Sequence, residues 1–503
     1  MVMERLALLK SLTFGTQIAE DETNELATYF VQTDQWTRIF EGQIDIIRGE
    51  KGAGKSAIYA TLLDKSGQLF DKGIIVVAAE NLRGATVFKD LVAEPPTSEA
   101  EFIVLWKLYI VTIVAQQLRD FDVKDDNTAM VTRALEDAKL LEAEFSLARV
   151  LRSVHEYAKR LVRAEAVEGG LTFDPTTGIP VGVTGRIVLK EPSSDERRLG
   201  AVSVDGLFTA LDATLTRNGL KVWVLFDRLD VAFIENHDLE ANALRALVRA
   251  YADVRNIGNI GLKIFLREDI WNRITEAGFR EASHLIRYVV LDWTPPSLLN
   301  LIMRRLLSNR TLVDEFGIDA DSVLQNAGKQ QEMFDRFFPR QVEEGKRKGT
   351  TFNWLISRCA DATKKTAPRE LVHLLNCIRD QEIKRLEQGG NAPLGDQLFD
   401  TSVFKLALPT VSDARLVQYL YAEYPKQKPF LEKLDRQKAE QTPESLSDLW
   451  ALDRAAAIAK ARELVDLGFF EQRGTKDEPT FWVPFLYRDA LSLVQGKADN
   501  DDE

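Results

Sequence analysis

Eight consecutive residues, Gly49-Glu50-Lys51-Gly52-Ala53-Gly54-Lys55-Ser56, match the pattern GxxxxGK[ST] in full. Glycines at these positions let the backbone curl until successive N–H groups point at phosphate oxygens, and a following helix adds its positive N-terminal end. Lys55 is then placed to reach the β- and γ-phosphates, and the Ser56 hydroxyl to ligate Mg²⁺. Gly49, Lys51, Gly52, Ala53, Gly54, Lys55, Ser56 and Ala57 are therefore expected to hold ATP with Mg²⁺.

The chemistry next needs carboxylates. The apolar run Val222–Phe226 ends in Asp227, which an apolar strand delivers to the sheet edge beside the phosphate loop. Asp227 is expected to hold Mg²⁺ through water, together with Ser56. The position after Asp227, where a water-activating glutamate is often found, is Arg228. The next carboxylate is Asp230, the candidate general base, which must come within hydrogen-bond reach of the water. Arg267, at the end of the run Leu262–Leu266, is placed to sense the γ-phosphate; its bland alternative is an ion pair with Glu268 or Asp269. Arg369, beside Pro368 in the first turn of a helix, is a candidate to close on the nucleotide from a lid. Arg280 and Arg287 are candidates for action in trans, set against an ordinary role as surface charges.

These side chains need a scaffold. Mainly apolar runs at Ile44–Ile47, Ile74–Ala78, Val222–Phe226, Leu262–Leu266 and Tyr288–Leu291, broken only by Asp45 and Lys263, suit central strands of a parallel sheet, and helical stretches separate them. The fold class is α/β: a doubly wound parallel-sheet P-loop ATPase core with a helical lid and a C-terminal winged-helix-like module. The expected domains are a helical lead-in (1–43, with a turn at Phe14-Gly15 and a helix from about Asp21 to Val31), the core (44–294, with an insertion at 97–200), the lid (295–388), the C-terminal module (395–495) and an acidic tail (496–503). Within the insertion, residues 169–194 carry strand-like runs.

Composition narrows the class. Lys and Arg total 65 against 77 Asp and Glu, a net charge of −12, which disfavours a general nucleic-acid coat while leaving room for a local basic patch. Two cysteines, Cys359 and Cys377, and four scattered histidines offer no disulfide framework or zinc spacing. The apolar stretch Phe102–Leu118 is broken by Lys107 and two glutamines and reads as a buried helix, so a cytoplasmic protein without a membrane span is expected.

Several of these residues together resemble a known family. Phe14-Gly15, Ala19-Glu20-Asp21-Glu22, Tyr29-Phe30-Val31, the loop at 49–58, Phe226-Asp227-Arg228-Leu229-Asp230, Leu266-Arg267-Glu268-Asp269-Ile270, Leu291-Asp292-Trp293 and Pro368-Arg369-Glu370-Leu371 are similar to the bacterial STAND-like and KAP-like P-loop ATPases within the broader AAA+ and ORC-like group. The resemblance spans about residues 14–386. It implies a STAND-type ATPase core with a helical lid, Asp230 as the second aspartate of D-x-x-D, and a role as a ligand-sensing switch, including in anti-phage defence. No fused effector domain and no long repeat array is present, so a separate effector protein or homo-oligomerisation is the expected partner relation beside ATP and ADP.

At the C-terminus, a helix at Ala456–Leu467, a short strand at Phe469–Glu471, a turn through Gly474 and Pro479, and a strand at Phe481–Val483 follow the winged-helix order. Residues 401–503 hold 14 basic and 18 acidic residues, a balance that favours packing over DNA reading. Phe469, Phe470 and Trp482 read as core. The rival to a slow, hydrolysing switch is a DNA-loading ORC-like ATPase, in which Lys346-Arg347-Lys348 and the wing contact phosphates.

Overall fold

The computed structural model describes residues 2–16, 26–80, 88, 91, 95–142, 144–167, 187–198, 200–229, 236–276, 278–475 and 478–497. The chain divides into two compact units. One comprises Asp34–Gly49 and Lys55–Leu291; the other comprises Met1–Thr33, Glu50–Gly54 and Asp292–Glu503.

The first of these units is built on a five-stranded sheet. Its strands are β1 (Ile46–Gly49), β2 (Ile74–Ala78), β3 (Lys221–Phe226), β4 (Ile260–Arg267) and β5 (Tyr288–Val290), in the order β2-β3-β4-β1-β5 and all parallel. Parallel neighbours need crossovers, which helices supply. Among them are α1 (Lys55–Asp64), α2 (Glu99–Asp120), α3 (Val204–Asn218) and α4 (His237–Val254). β3 and β4 are covered on both faces, which is why their sequences are apolar without alternation. The second strand falls at the expected Ile74–Ala78. β1 begins two residues later than the expected Ile44, because Asp45 is drawn into a buried ion cluster.

That cluster pins the N-terminal ends of the strands. Lys263, 1% exposed, donates to Asp45 Oδ1 at 3.0 Å, Arg287 Nε donates to Asp45 Oδ2 at 2.6 Å, and the Tyr251 hydroxyl donates to the same oxygen at 3.0 Å. Arg287 precedes β5, whereas the phosphate loop follows β1, so in a parallel sheet the two lie at opposite edges. Arg287 is held here in an ion pair with Asp45. Arg280 opens a short 3-10 turn, Arg280–His284.

α2 contains the apolar stretch singled out in the sequence. Ser98 caps it by accepting from the Glu101 amide, and the helix is long and apolar enough to cross a membrane; 83% of its most apolar window is buried within the fold. Its Trp106 and Tyr109 pack with Phe88 and Phe226 in one aromatic cluster. The Tyr109 hydroxyl donates to Ala79 O at 2.7 Å and so fixes the backbone just beyond β2.

The second unit is mainly helical. Its main helices are α5 (Pro295–Leu307), α6 (Pro368–Glu387), α7 (Thr401–Arg415) and α8 (Arg454–Asp466), and α7 runs directly into a π-helical turn, Leu416–Tyr421. Thr294 caps α5, with prolines in its first turn. A small sheet follows in the order β9-β6-β8-β7: β6 (Lys438–Gln441), β7 (Glu471–Gly474), β8 (Pro479–Trp482) and β9 (Val494–Lys497). The antiparallel β7–β8 hairpin after α8 has the expected helix-then-hairpin order; β6 and β9 were not expected. Phe469, Phe470 and Phe481 are fully buried, and Trp482 is flanked by the guanidinium groups of Arg473 and Arg488. Lid and C-terminal module, expected as separate domains, share one hydrophobic core running from Leu8 to Leu491. The lead-in helix expected from about Asp21 is observed only at Leu26–Tyr29, with 17–25 outside the described residues. Most of the strand-like segment at 169–194 and the acidic tail from 498 also lie outside them.

Candidate functional site

β3 ends first on the C-terminal side of the sheet, and β1 and β4 run three residues further. Ile46, Ile264 and Phe226 are abreast across β1, β4 and β3, and Gly49 stands opposite Arg267. This edge is where parallel α/β sheets bind ligands. Gly49 closes β1 and Lys55 opens α1. Lys55 Nζ donates to Gly49 O at 2.8 Å, which folds the ammonium back over the loop. Ala57 lies in the first turn of α1, whose amides have no intrahelical acceptor.

Ser56 Oγ donates to Asp227 Oδ2 at 3.1 Å, although 171 positions separate the two residues. Asp227, at the end of β3, is 6% exposed. An alcohol and a carboxylate are the hard oxygen donors that Mg²⁺ takes, and two adjacent ligands of an octahedral Mg²⁺ lie about 2.9 Å apart. The pair therefore fits that ion. Among the described residues no group of three His, Cys, Asp or Glu side chains forms a metal cage, so further ligands have to come from phosphate and water. Directly after Asp227, Arg228 adopts φ 56°, a left-handed conformation rare for a side-chain-bearing residue.

Arg267 ends β4 and grips Asp269 with two hydrogen bonds, Nε to Oδ1 at 3.0 Å and Nη2 to Oδ2 at 2.8 Å. The ion pair weighed from the sequence is thus present, and it holds the guanidinium at the sheet edge. Arg48, next to Gly49, lies between the rings of Trp271 and Tyr288.

The tip of the loop, Glu50–Gly54, packs within the helical unit. Gly52 has φ 89°, and a Cβ there would come within 2.9 Å of Arg369 Cβ, so only glycine fits against the start of α6. The indole Nε1 of Trp293 donates to Ala53 O at 2.8 Å, and Gly54 (φ 98°) faces the same ring. Lys51 forms an ion pair with Glu423 and lies over the Tyr419 ring in the π-helical turn. Its side chain is turned to this acidic and aromatic pair, and its backbone stays in the loop. Glu50 pairs with Lys365 at 3.3 Å; burial, then the charge of Asp361, pushes its carboxyl up.

Behind Tyr419 lies a buried charge cluster. The Arg415 guanidinium stacks on the Tyr419 ring at 4.0 Å, donates to Glu370 Oε1 at 2.9 Å and lies 3.7 Å from Asp361. His373 lines a small cavity with Arg369, Arg415 and Tyr419, and burial, then the nearby Arg369 charge, lowers its pKa.

The structure thus brings Ser56 to Asp227, Lys55 to Gly49 and Arg369 to Gly52. Asp230 lies outside the described residues. Trp293, Glu423 and Tyr419 had no assigned role in the sequence; only Trp293 sat in a noted motif.

No family model and no curated protein sequence matches the chain. Among solved structures it is similar to a Walker-type ATPase of Pyrococcus abyssi (11% identity, TM-score 0.39, covering 91% of this chain and 95% of that one). It is also similar to the Aeropyrum pernix ORC1 protein in complex with DNA (12%, TM-score 0.34, 91% of each chain). A third is the Aeropyrum pernix ORC2 protein in ADPNP–ADP complexes (10%, TM-score 0.29, 91% of each chain).

Proposed function

We propose that the chain is a Mg²⁺-dependent ATPase that works as a nucleotide switch, its bound nucleotide setting conformation or assembly. One observation carries this reading: the Ser56 hydroxyl and the Asp227 carboxylate meet at 3.1 Å beside a glycine loop that closes a central parallel strand. In this reading the loop amides and Lys55 bind the phosphates, while Ser56 and Asp227 hold Mg²⁺. When bound there, the ion would supply positive charge against that of the phosphates. Arg267 exchanges part of its hold on Asp269 for the γ-phosphate, and Arg369 answers to the loop tip from the start of α6. Asp230 is the carboxylate proposed from the sequence for the water. The switch is supported by Lys51, whose partners are Tyr419 in the π-helical turn and Glu423 two residues beyond it, so a shift of the loop tip on phosphate binding has a direct route to that turn. A place for the switch in anti-phage defence rests on the family resemblance alone.

The test is ATP binding, phosphate release and light-scattering mass, measured with and without ATP–Mg²⁺ on wild type and Lys55→Ala. Wild type is expected to turn over slowly and to change mass or shape with ATP. Lys55→Ala is expected to weaken ATP about 10–100-fold, the loss of charge-assisted hydrogen bonds. A wild type that neither binds nor cleaves ATP would sink the reading.

A further inference from the structure

Arg228 occupies the place after Asp227 where a carboxylate is wanted, so the hydrolytic water needs a partner from elsewhere. The neighbouring strand supplies one. β2 and β3 run in register with Ala78 opposite Leu225, and the ladder continues past the end of β2, the Ala79 amide donating to Leu225 O at 2.9 Å. Glu80 is the second residue beyond β2 and Asp227 the first beyond β3, so both follow directly on paired strands. The last pair in register, Ala78 and Leu225, presents its side chains to one face of the sheet. Glu80 is 1% exposed, so its carboxylate is committed to the interior at considerable desolvation cost.

The face is that of α1. Ser56 and Tyr59 lie three residues apart on one side of the helix. Ser56 touches Asp227, and the Tyr59 hydroxyl donates to Glu80 O at 3.4 Å. After burial, the charges of Asp227 and then Glu80 are the causes that raise the Tyr59 pKa, with Arg228 opposing them, so all three charged groups surround one phenol. Tyr109 anchors the backbone at Ala79, directly before Glu80, and holds the turn in place.

Resting on the ATPase reading, we infer that Glu80 is the carboxylate that orients the attacking water and accepts its proton. The water oxygen bonds to the γ-phosphorus while the bond from that phosphorus to the β,γ-bridging oxygen breaks, and the electron pair leaves with ADP. The water proton passes to Glu80 and from there to released phosphate or solvent. Arg228, turned aside by its left-handed backbone, offsets one of the two neighbouring negative charges.

The experiment compares steady-state turnover, ATP affinity and melting temperature in the full chain for wild type, Lys55→Ala, Glu80→Gln, Glu80→Asp and Asp230→Asn. Glu80→Gln is expected to lower kcat about 10²–10⁴-fold, the usual reach of general-base catalysis, while ATP affinity stays within about threefold. Glu80→Asp draws the carboxylate back by one methylene and is expected to lose at least tenfold in kcat at unchanged affinity, which keeps the test open if the glutamine variant fails to fold. Turnover by Glu80→Gln within about threefold of wild type, with Asp230→Asn inactive, would overturn the inference and give the water to Asp230. A joint fall of affinity, turnover and melting temperature in both Glu80 variants would also overturn it, in favour of a structural carboxylate. In either case wild-type turnover stopped by Lys55→Ala keeps the ATPase reading intact; a wild type without turnover removes both.

Discussion

At the scale of single residues, the phosphate loop is constrained by what crowds it. Gly52 combines a left-handed φ with a start-of-helix neighbour whose Cβ stands 2.9 Å from where its own would be. Gly52→Ala therefore forces either the loop or α6 to move, at about 1–3 kcal/mol for the strained backbone alone. The expected outcome is weaker ATP binding with a lower melting temperature, read by calorimetry and thermal denaturation. Gly54, whose φ is similar but whose space is open apart from Trp293, should show a milder steric effect on substitution. Much of the site was legible at this scale. The loop, Lys55, Ser56 and Asp227 follow from residue type and spacing. Glu80 was not legible, because no motif marks it: its relation to Asp227 exists only once two strands pair. The side-chain partner of Lys51 was not legible either, because Glu423 stands 372 positions away.

At the scale of elements, long apolar runs announced the central strands, and burial on both faces explains why. β6 escaped notice because Lys438-Ala439-Glu440-Gln441 is polar and buries only alternate positions, Ala439 and Gln441. The lid's basic loop shows how an element can cancel its own charge. Glu343 accepts from Lys348 at 2.5 Å and pairs with Lys405 at 3.1 Å, and these hydrogen bonds, Lys348 first, hold its carboxyl down at about 2. An acid whose pKa is lowered on folding stabilises above its unfolded value, near 4.5, and loses that contribution as pH falls toward 2. Because both lysines are more than half exposed, screening limits the effect to about 0.2–1 kcal/mol. Glu343→Gln should melt about 1–3 °C below wild type at pH 7, and the gap should narrow steadily between pH 5 and pH 3. A gap independent of pH would show that the ion pairs contribute nothing.

At the scale of the whole molecule, an excess of 12 negative charges sets the terms for any polyanion. Two of the cations that favoured DNA are internally engaged: Lys348 by Glu343, and Arg473 in the hairpin by Glu471 at 3.0 Å and by the face of Trp482. Fluorescence anisotropy with duplex DNA should accordingly show no binding tighter than about 10 µM at 150 mM salt and a shallow dependence of affinity on salt, whereas six or more phosphate contacts would produce a steep one. A steep slope together with DNA-stimulated ATP turnover would favour the DNA-loading reading over the switch. The single core shared by lid and C-terminal module bears on the same question. Phe469, Phe470 and Phe481 are spent on packing and are not free to stack on a base.

The indole of Trp293, half-buried and hydrogen-bonded to the carbonyl of Ala53, is also an optical probe already in place. Indole emission responds to the polarity and hydrogen bonding of its surroundings, and this one is tied to the backbone of the loop proposed to cradle phosphate. The chain has eight tryptophans, so the signal is a difference: emission titrated with ATP in wild type, less the same titration in Trp293→Phe. The molecule then reports its own nucleotide state in real time without a label, and stopped-flow mixing turns that glow into a clock for the loop.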